Sequence, residues 1–359
     1  MSVFIVAEAG CNHNGDRELA FQLVDVAVGA GADAVKFQTF KAENLVTRSA
    51  AKADYQNKTT DPDETQFVMQ KRLELKHKTH HELIDYCNKK GIEFLSSAFD
   101  LDSLSFLVND LSLRTLKIPS GEITNGPLLL AYSQTDCDLI ISTGMATLGE
   151  VEHALSVVAF GLVNGKSSQV QPSRATFWQA YSSPKGQQLL KKKVRLLHCT
   201  TEYPAPLEDI NLNAMLTMRN AFGLRTGYSD HTEGIAVSIA AAALNATLIE
   251  KHFTLDRSLP GPDHKASLEP DELRRMVTSI RTIELAMGSG SKVPMPSEMK
   301  NRDIARKSLV AASDIKKGDI FTEENLTTKR PGTGISPMAY WDTLGDEAQH
   351  DHGESEVIL

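Results

Sequence analysis

The chain has 359 residues and a formal net charge of -8, so it can form one barrel-sized domain of about 250 residues and a second, smaller one. An acidic surface argues against a general binder of nucleic acid or of anionic membranes, since both partners require clustered cations. No apolar run is long enough to span a bilayer, and the first residues lack a signal-peptide pattern. The four cysteines have no paired spacing, which argues against disulfides or a thiolate zinc site and indicates a reducing cytoplasm.

Short apolar runs alternate with helical patterns over most of the chain. Eight runs are typical of strands buried on both faces, and we predict them at 3–7, 34–38, 92–97, 115–118, 139–142, 194–198, 224–228 and 247–252. The helical patterns that follow them are predicted at about 16–29, 79–90, 102–111, 128–133, 147–158, 212–221, 236–244 and 270–287. Capping boxes at Thr79 with Glu82 and at Thr147 with Glu150 indicate two of the helix starts, and Pro270 indicates a third.

Eight strand and helix alternations favour a closed (β/α)8 barrel of the TIM type, in the α/β class, over an open sheet. No Gly-x-Gly-x-x-Gly follows the first strand, which argues against a dinucleotide site. The barrel is predicted at 1–288, with an insertion at 161–193 that carries its own surface helix near 175–181. Residues 289–303 have the composition of a linker, and 304–359 have β-prone pieces typical of a small domain that is marginally stable alone.

Two histidines end neighbouring predicted strands. His231 follows the seventh strand and His252 ends the eighth. If the strands are parallel neighbours, both imidazoles leave the sheet at the same end and can share one divalent metal ion. The alternative is that each histidine only caps its own strand.

Chemistry in such barrels occurs at the carboxyl ends of the strands. Every predicted strand ends near polar side chains, namely Glu8, Lys36, Gln38, Ser96, Ser97, Lys117, Ser120, Glu122, Ser142, Thr143, His198, Thr200, Thr201, Ser229, Asp230, His231, Glu250 and His252. Lysines and hydroxyls together suit phosphate and carboxylate oxygens. Two alternatives stay open. The lysines can pair structurally with Glu8 and Glu122, or Lys117 can be a Schiff-base lysine of a metal-free aldolase, against which the histidine pair argues.

Nine motifs give the chain a resemblance to the sialic acid synthase family. They are AEAGCNHNG at 7–15, VKFQT at 35–39, KIPSGE at 117–122, ISTGM at 141–145, HCTTEYP at 198–204, YSDHT at 228–232, EKHF at 250–253, GPDH at 261–264 and KRPGTG at 329–334. The resemblance covers essentially the whole chain. It implies that the terminal domain is the antifreeze-like, or SAF, β-clip domain of those synthases.

The resemblance implies a reaction and a role for each residue. Phosphoenolpyruvate would condense with open-chain N-acetylmannosamine, or with a 2,4-diacetamido-6-deoxy sugar to give legionaminic acid, releasing phosphate. His231 and His252 would hold a divalent metal, Mn²⁺ first, with Mg²⁺ or Co²⁺ as alternatives. The other roles are phosphoenolpyruvate binding by Lys36, Ser97, Lys117, Ser120, Ser142, Thr201 and Ser229; water activation by Glu8, Asp230 and Glu250; and sugar binding by Gln38, Glu122, Tyr203, Asp263 and Arg330.

The same resemblance implies a homodimer in which the terminal domain of one subunit covers the barrel mouth of the other, so that Arg330 acts in trans. One departure concerns Thr200 and Thr201, because some members carry asparagine in this pair. A different class of function is a non-catalytic binding protein built on a barrel. The full set of acids, lysines and histidines argues against it.

Overall fold

The computed structural model of the chain describes residues 2–61 and 63–359. Eight parallel strands form a closed barrel in which each strand pairs with the next and the eighth pairs with the first. The predicted (β/α)8 barrel is confirmed. Its strands are β1 (Phe4–Gly10), β2 (Ala34–Thr39), β3 (Glu93–Ala98), β4 (Thr115–Ile118), β5 (Asp138–Ser142), β6 (Val194–His198), β7 (Arg225–Asp230) and β8 (Leu248–His252).

The helices pack their apolar faces against the outside of this barrel. Those of the barrel unit are α1 (Arg17–Ala30), α2 (Ala42–Leu45), α3 (Asp54–Thr59), α4 (Gln66–Leu73), α5 (His77–Lys90), α6 (Leu101–Ser105), α7 (Gly126–Ser133), α8 (Leu148–Asn164), α9 (Arg174–Ser182), α10 (Pro184–Lys193), α11 (Asn213–Phe222), α12 (Ala236–Ala243) and α13 (Pro270–Met287). The capping box of Thr147 with Glu150 opens α8, and Pro270 is the first residue of α13, as predicted.

The two-residue pleat of the strands places an apolar layer and a polar layer inside the barrel. The apolar layer consists of Val6, Ala34, Leu95, Ile140, Leu197 and Leu248. Because side chains alternate between the two faces of a strand, the next inward residue is two positions further along. On five of these strands that residue is polar: Glu8, Lys36, Ser97, Ser142 and Glu250. The polar layer therefore lies directly on top of a packed apolar floor.

Two local predictions are wrong, and a third is incomplete. Helix α5 begins at His77, with Lys76 as an N-cap that makes no side-chain hydrogen bond, so Thr79 lies inside the helix and no capping box starts it. The helix predicted at 102–111 is α-helical only to Ser105 and continues as a π-helix over Phe106–Asp110. The insertion at 161–193 contains α10 as well as the expected surface helix α9.

A second compact unit begins at Ser289. It contains α14 (Pro296–Ala305), the antiparallel pair β9 (Ser308–Ala311) and β10 (Leu326–Lys329), and α15 (Tyr340–Thr343). Most of α14 lies in residues 289–303, which composition assigned to a linker. Its own small core consists of Leu309, Ala311, Ile315, Phe321, Leu326, Ala348 and Ile358. Over the described residues of both units, no helix combines the length and apolar character required to cross a membrane.

Candidate active site

A cavity of about 200 Å³ opens at the carboxyl ends of the barrel strands. Fourteen of the residues that the sequence singled out line it: Glu8, Lys36, Gln38, Ser97, Lys117, Ser120, Ser142, Thr201, Tyr203, Ser229, His231, Glu250, His252 and Asp263. They come from seven of the strands and from loops at the carboxyl ends, including the loop after the remaining strand, β6. The barrel therefore brings together, in one site, side chains that are up to 255 positions apart in the sequence.

Four buried charges form the floor of this cavity. The Lys36 ammonium lies 2.8 Å from a Glu8 carboxylate oxygen and 3.6 Å from one of Glu250. The Lys117 ammonium lies 2.9 Å from the other oxygen of Glu250, which also accepts a hydrogen bond from Ser229 Oγ at 2.9 Å. Removing such charges from water is costly unless they are paired. Each lysine of the floor lies beside at least one carboxylate, so attraction between opposite charges holds all four groups in the barrel interior.

The two carboxyl groups of this floor have different proton affinities. Burial raises the pKa of Glu8 to about 7, and although Lys36 acts against this shift, the negative charge of Glu250 adds to it. Burial also acts to raise the pKa of Glu250, but the charges of Lys117 and Lys36 outweigh it, so this pKa is lowered. Glu250 therefore stays ionised, whereas Glu8 can gain or lose a proton near neutral pH.

Several polar atoms on the cavity surface are buried without a hydrogen-bond partner among the described residues. They include Ser142 Oγ, Thr201 Oγ1 and His252 Nδ1. Ser120 Oγ differs, since it accepts a hydrogen bond from the Gly144 N–H at 3.1 Å. Buried polar atoms in folded proteins are normally paired. Unpaired atoms gathered around one cavity indicate a surface that hydrogen-bonds to a ligand.

The two imidazoles lie together on one side of the cavity, with ring centroids 5.5 Å apart. His231 Nδ1 donates to the Thr200 carbonyl at 2.5 Å, so Nε2 carries the free lone pair, and Tyr203 O–H contacts that nitrogen at 3.1 Å. Burial lowers the pKa of His231 to about 4. Burial also lowers the pKa of His252 well below its usual value, and the charge of His231 adds to that shift. Both rings are therefore neutral, as metal-binding imidazoles must be.

This donor set fits part of a divalent-cation site. His252 Nδ1 lies 3.8 Å from Asp263 Oδ2 and makes no hydrogen bond in the described structure. Among the residues described, no group of three or more His, Cys, Asp or Glu side chains is arranged to hold a metal. Two imidazoles would therefore supply only the nitrogen ligands, and water or a substrate oxygen would supply the others.

Asp230 lies outside the cavity. In the register of β7 and β8, Ser229 pairs with Glu250 and Asp230 pairs with Lys251, so the second pair points to the opposite face of the barrel wall. There Asp230 accepts hydrogen bonds from two hydroxyls and one backbone N–H, and it lies 3.2 Å from the Lys251 ammonium. The expectation that Asp230 activates water is not supported by this position. We assign it to holding β7 against β8, and through them the two histidines.

Two residues expected to bind the sugar are also outside the lining. Glu122 follows β4, where its carboxylate accepts a hydrogen bond from Asn125 Nδ2 at 2.7 Å. Arg330 lies in the second unit, directly after β10, and is exposed. Glu122 therefore does not line the cavity, and Arg330 belongs to a separate compact unit.

Sequence reasoning missed several lining residues, namely Cys11, Tyr55, Gln56, Gln70, Phe99, Pro119, Gly121 and Pro262. Three of them belong to α3 and α4, in the long connection between β2 and α5. A signal for these existed in the sequence. A connection of that length on the carboxyl-end face of a barrel is typical of a segment that covers an active site.

Comparison with known proteins gives matches along the whole chain. A model of the NeuB family matches residues 23–292, and one of the SAF domain matches residues 306–359. The N,N'-diacetyllegionaminic acid synthase of Campylobacter jejuni is 52% identical, covering 99% of this chain and 98% of that protein. The one of Legionella pneumophila is 45% identical, covering 100% and 94%. The N-acetylneuraminic acid synthetase of Leptospira borgpetersenii, solved with citrate, has a TM-score of 0.66 at 32% identity, covering 84% of this chain and 90% of that one.

The Lys251 and Asp230 pair gives a test of stability. We expect Lys251→Met to lower the free energy of unfolding by about 3–5 kcal/mol, because it leaves a fully buried carboxylate unpaired. The double variant with Asp230→Asn should recover part of that loss. Urea unfolding followed by circular dichroism measures both.

The matched control is Lys90→Met. Lys90 pairs with Asp25 at the surface, with side chains that are 39% and 48% exposed, so this change should cost no more than about 1 kcal/mol. An equal loss in Lys251→Met and Lys90→Met would contradict the role given to the buried pair.

Proposed function

The chain belongs to the NeuB family, and on that premise we propose that it is a phosphoenolpyruvate-dependent nonulosonic acid synthase. The resemblance noted in its motifs, including that of the terminal domain, is confirmed by the family matches. In the proposed reaction phosphoenolpyruvate condenses with open-chain 2,4-diacetamido-2,4,6-trideoxymannose to give N,N'-diacetyllegionaminic acid and phosphate. The observation that carries the proposal is the cavity itself, in which paired lysines, unpartnered hydroxyls and two neutral imidazoles face one another.

The choice of sugar is supported by two relatives at 52% and 45% identity that are named for this product. N-acetylmannosamine, the sugar placed first from the sequence, remains the second candidate. It is supported by the Leptospira N-acetylneuraminic acid synthetase at 32% identity. The chemistry at the reacting carbons is the same for both sugars.

The lysines and hydroxyls of the floor would bind phosphoenolpyruvate. Its phosphate and carboxylate are anions, and Lys36 and Lys117 supply the countercharges while Ser142 and Thr201 have unused hydrogen-bonding capacity. Glu8 and Glu250 lie beside these lysines and hold both ammonium groups in the barrel interior.

We propose a metal-binding role for the two histidines because they lie together at the same cavity. His231 and His252 would hold a divalent cation, Mn²⁺ first, and such an ion polarises a sugar aldehyde as a Lewis acid. The Thr200 carbonyl fixes the His231 ring by accepting its Nδ1–H. Asp230 and Lys251 fix the strands from which both rings project.

The carboxyl groups would then handle the proton of the attacking water. The enol carbon of phosphoenolpyruvate bonds to the aldehyde carbon, and the aldehyde oxygen takes up a proton from solvent. Positive character develops at the carbon bearing the phosphate oxygen, where water adds and gives one proton to Glu8. The hemiketal phosphate then collapses to the ketone, and its hydroxyl proton leaves with the phosphate. Glu250 stays ionised between the two lysines and holds them in place.

We further propose that the enzyme works as a homodimer in which Arg330 binds the sugar of the partner subunit's site. Support comes from the position of Arg330, which is exposed in the second unit, and from the match of that unit to the SAF domain.

Phosphate release tests the reaction and the metal together. Purified protein with Mn²⁺ and phosphoenolpyruvate should release phosphate with the diacetamido sugar faster than with N-acetylmannosamine, and not without a sugar. A chelator should abolish release, and added Mn²⁺ should restore it. No release with any amino sugar would refute the synthase, while turnover that survives the chelator would refute the two-histidine metal site.

The pKa of Glu8 predicts the pH dependence. The base is the ionised form, whose fraction increases as pH rises through about 7, so kcat/KM, which reports the free enzyme, should increase from pH 6 to pH 8 with a midpoint near 7. Glu8→Gln should lower kcat by about 10²- to 10⁴-fold and remove this rise with pH. If the rate of Glu8→Gln still increases with the same midpoint, the group that titrates is not Glu8.

Mixing two inactive variants tests the shared site. In a swapped dimer of Arg330→Ala with His252→Ala, one of the two sites contains neither substitution, so random mixing should restore about one quarter of wild-type activity. If Arg330 acts within its own subunit, the mixture stays inactive. Size-exclusion chromatography with light scattering confirms that mixed dimers have formed.

A further inference from the structure

We propose that Tyr55 and Gln70 determine which amino sugar the enzyme accepts, by contacting the end of the sugar remote from its aldehyde. Both residues belong to the mouth segment, which we define as residues 41–73, between β2 and α5. This inference rests on the proposed synthase reaction and assigns its acceptor specificity to residues that the motifs do not contain.

The mouth segment is a folded structure anchored on the barrel. Met69 and Leu73 of α4 are buried in an apolar cluster with Cys11 and Phe40, which follow β1 and β2. Within the segment, the Arg72 guanidinium makes two hydrogen bonds with the Glu64 carboxylate, at 2.8 and 3.0 Å. The apolar cluster fixes α4 over the cavity, and α3 contacts the loop after β8 through Thr59 Oγ1, which donates to the Pro262 carbonyl at 3.5 Å.

Aromatic rings connect this segment to the imidazoles. The Tyr55 ring lies 5.1 Å from that of Tyr203, and the Tyr203 ring lies 4.2 Å from that of His231. Phe99 adds another ring to the same cavity. A sugar whose aldehyde lies at the histidines would therefore present its remote carbons to Tyr55.

Two glutamine amides of the segment line the cavity, and they differ in how far their hydrogen-bonding groups are already used. Gln56 accepts a hydrogen bond from the Ala53 N–H at 3.0 Å and donates one to Tyr55 O–H at 3.3 Å. The side-chain amide of Gln70 makes no hydrogen bond within the described part of the chain, although the residue is partly buried and lines the cavity. Gln70 is thus a free donor and acceptor facing the ligand.

The chemistry of this wall differs from that of the floor. The floor carries charges, whereas Tyr55, Gln56, Gln70, Phe99 and Pro262 offer only rings, amides and a proline. A carboxamide pairs with an acetamido group through one donor and one acceptor, and ring faces accept its methyl group and a deoxy carbon. A hydroxyl placed against the ring faces would lose hydrogen bonds to water without replacement. The wall therefore favours a 4-acetamido, 6-deoxy sugar over one with hydroxyls at both positions.

Binding of alditols separates recognition from turnover, because these reduced sugars lack the reacting aldehyde. Isothermal titration calorimetry with Mn²⁺ and phosphoenolpyruvate present would compare 2,4-diacetamido-2,4,6-trideoxymannitol with 2-acetamido-2-deoxymannitol. We expect wild type to bind the first at least about tenfold more tightly. Gln70→Leu should weaken that binding about 5- to 100-fold, while changing the second alditol less than about threefold.

Each variant has a matched control. Gln66→Leu changes the same side chain at the start of α4, outside the cavity lining, and should leave both affinities unchanged. Tyr55→Phe keeps the ring and should keep the discrimination, whereas Tyr55→Ala should reduce it. Thermal unfolding shows whether Tyr55→Ala is folded, and Gln70→Leu tests the proposal independently of that variant.

The outcomes distinguish this inference from the reaction. Three results would overturn the specificity assigned to Tyr55 and Gln70. Gln70→Leu could weaken the binding of both alditols equally, or Gln66→Leu could have the same effect as Gln70→Leu. The third result is that neither alditol binds to the wild type. Discrimination that depends on Gln70 without phosphate release would support the wall and refute the synthase. Phosphate release together with unchanged discrimination in Gln70→Leu would support the synthase and refute the role of the wall.

Discussion

Closure of the barrel is the constraint on which the site depends. Because β8 pairs with β1, Glu8 and His252 are direct neighbours in the register although 244 positions separate them. The two-residue pleat then repeats the same pattern on several strands, with an apolar residue inside the barrel and a polar one directly above it. An open sheet would leave the first and last strands at opposite edges, and no single cavity would contain both residues.

The charges of the floor depend on that closure in turn. Four ionisable side chains inside a barrel are stable only because each lysine lies beside a carboxylate. The pairing is unequal, since Glu250 contacts both lysines and Glu8 contacts one. That inequality separates the two pKa values, one lowered and one raised to about 7. A single geometric asymmetry thus divides the acids into a permanent countercharge and a proton acceptor.

The floor and the wall of the cavity offer different chemical groups. In the proposed reaction, strand ends would provide charges, hydroxyls and imidazoles for the groups that react, and the mouth segment would provide neutral rings and amides for the remainder of the substrate. The strand ends are held by the register of the barrel, while α4 is held by a separate apolar cluster at Met69 and Leu73. The wall can therefore differ between relatives without disturbing the chemistry of the floor.

The sequence by itself determined the barrel, since eight apolar strands in alternation with helices admit one closed arrangement. It also determined most of the floor, because polar residues such as Lys36 and Ser142 stand at strand ends where the pleat turns them inward. Local sequence patterns did not predict the positions of side chains that are set by tertiary contacts. Asp230 looked equivalent to Ser229, but one step of the pleat turns it into the opposite face to meet Lys251. Tyr55 and Gln70 have no motif, and only the packing of their helices over the barrel mouth places them at the cavity.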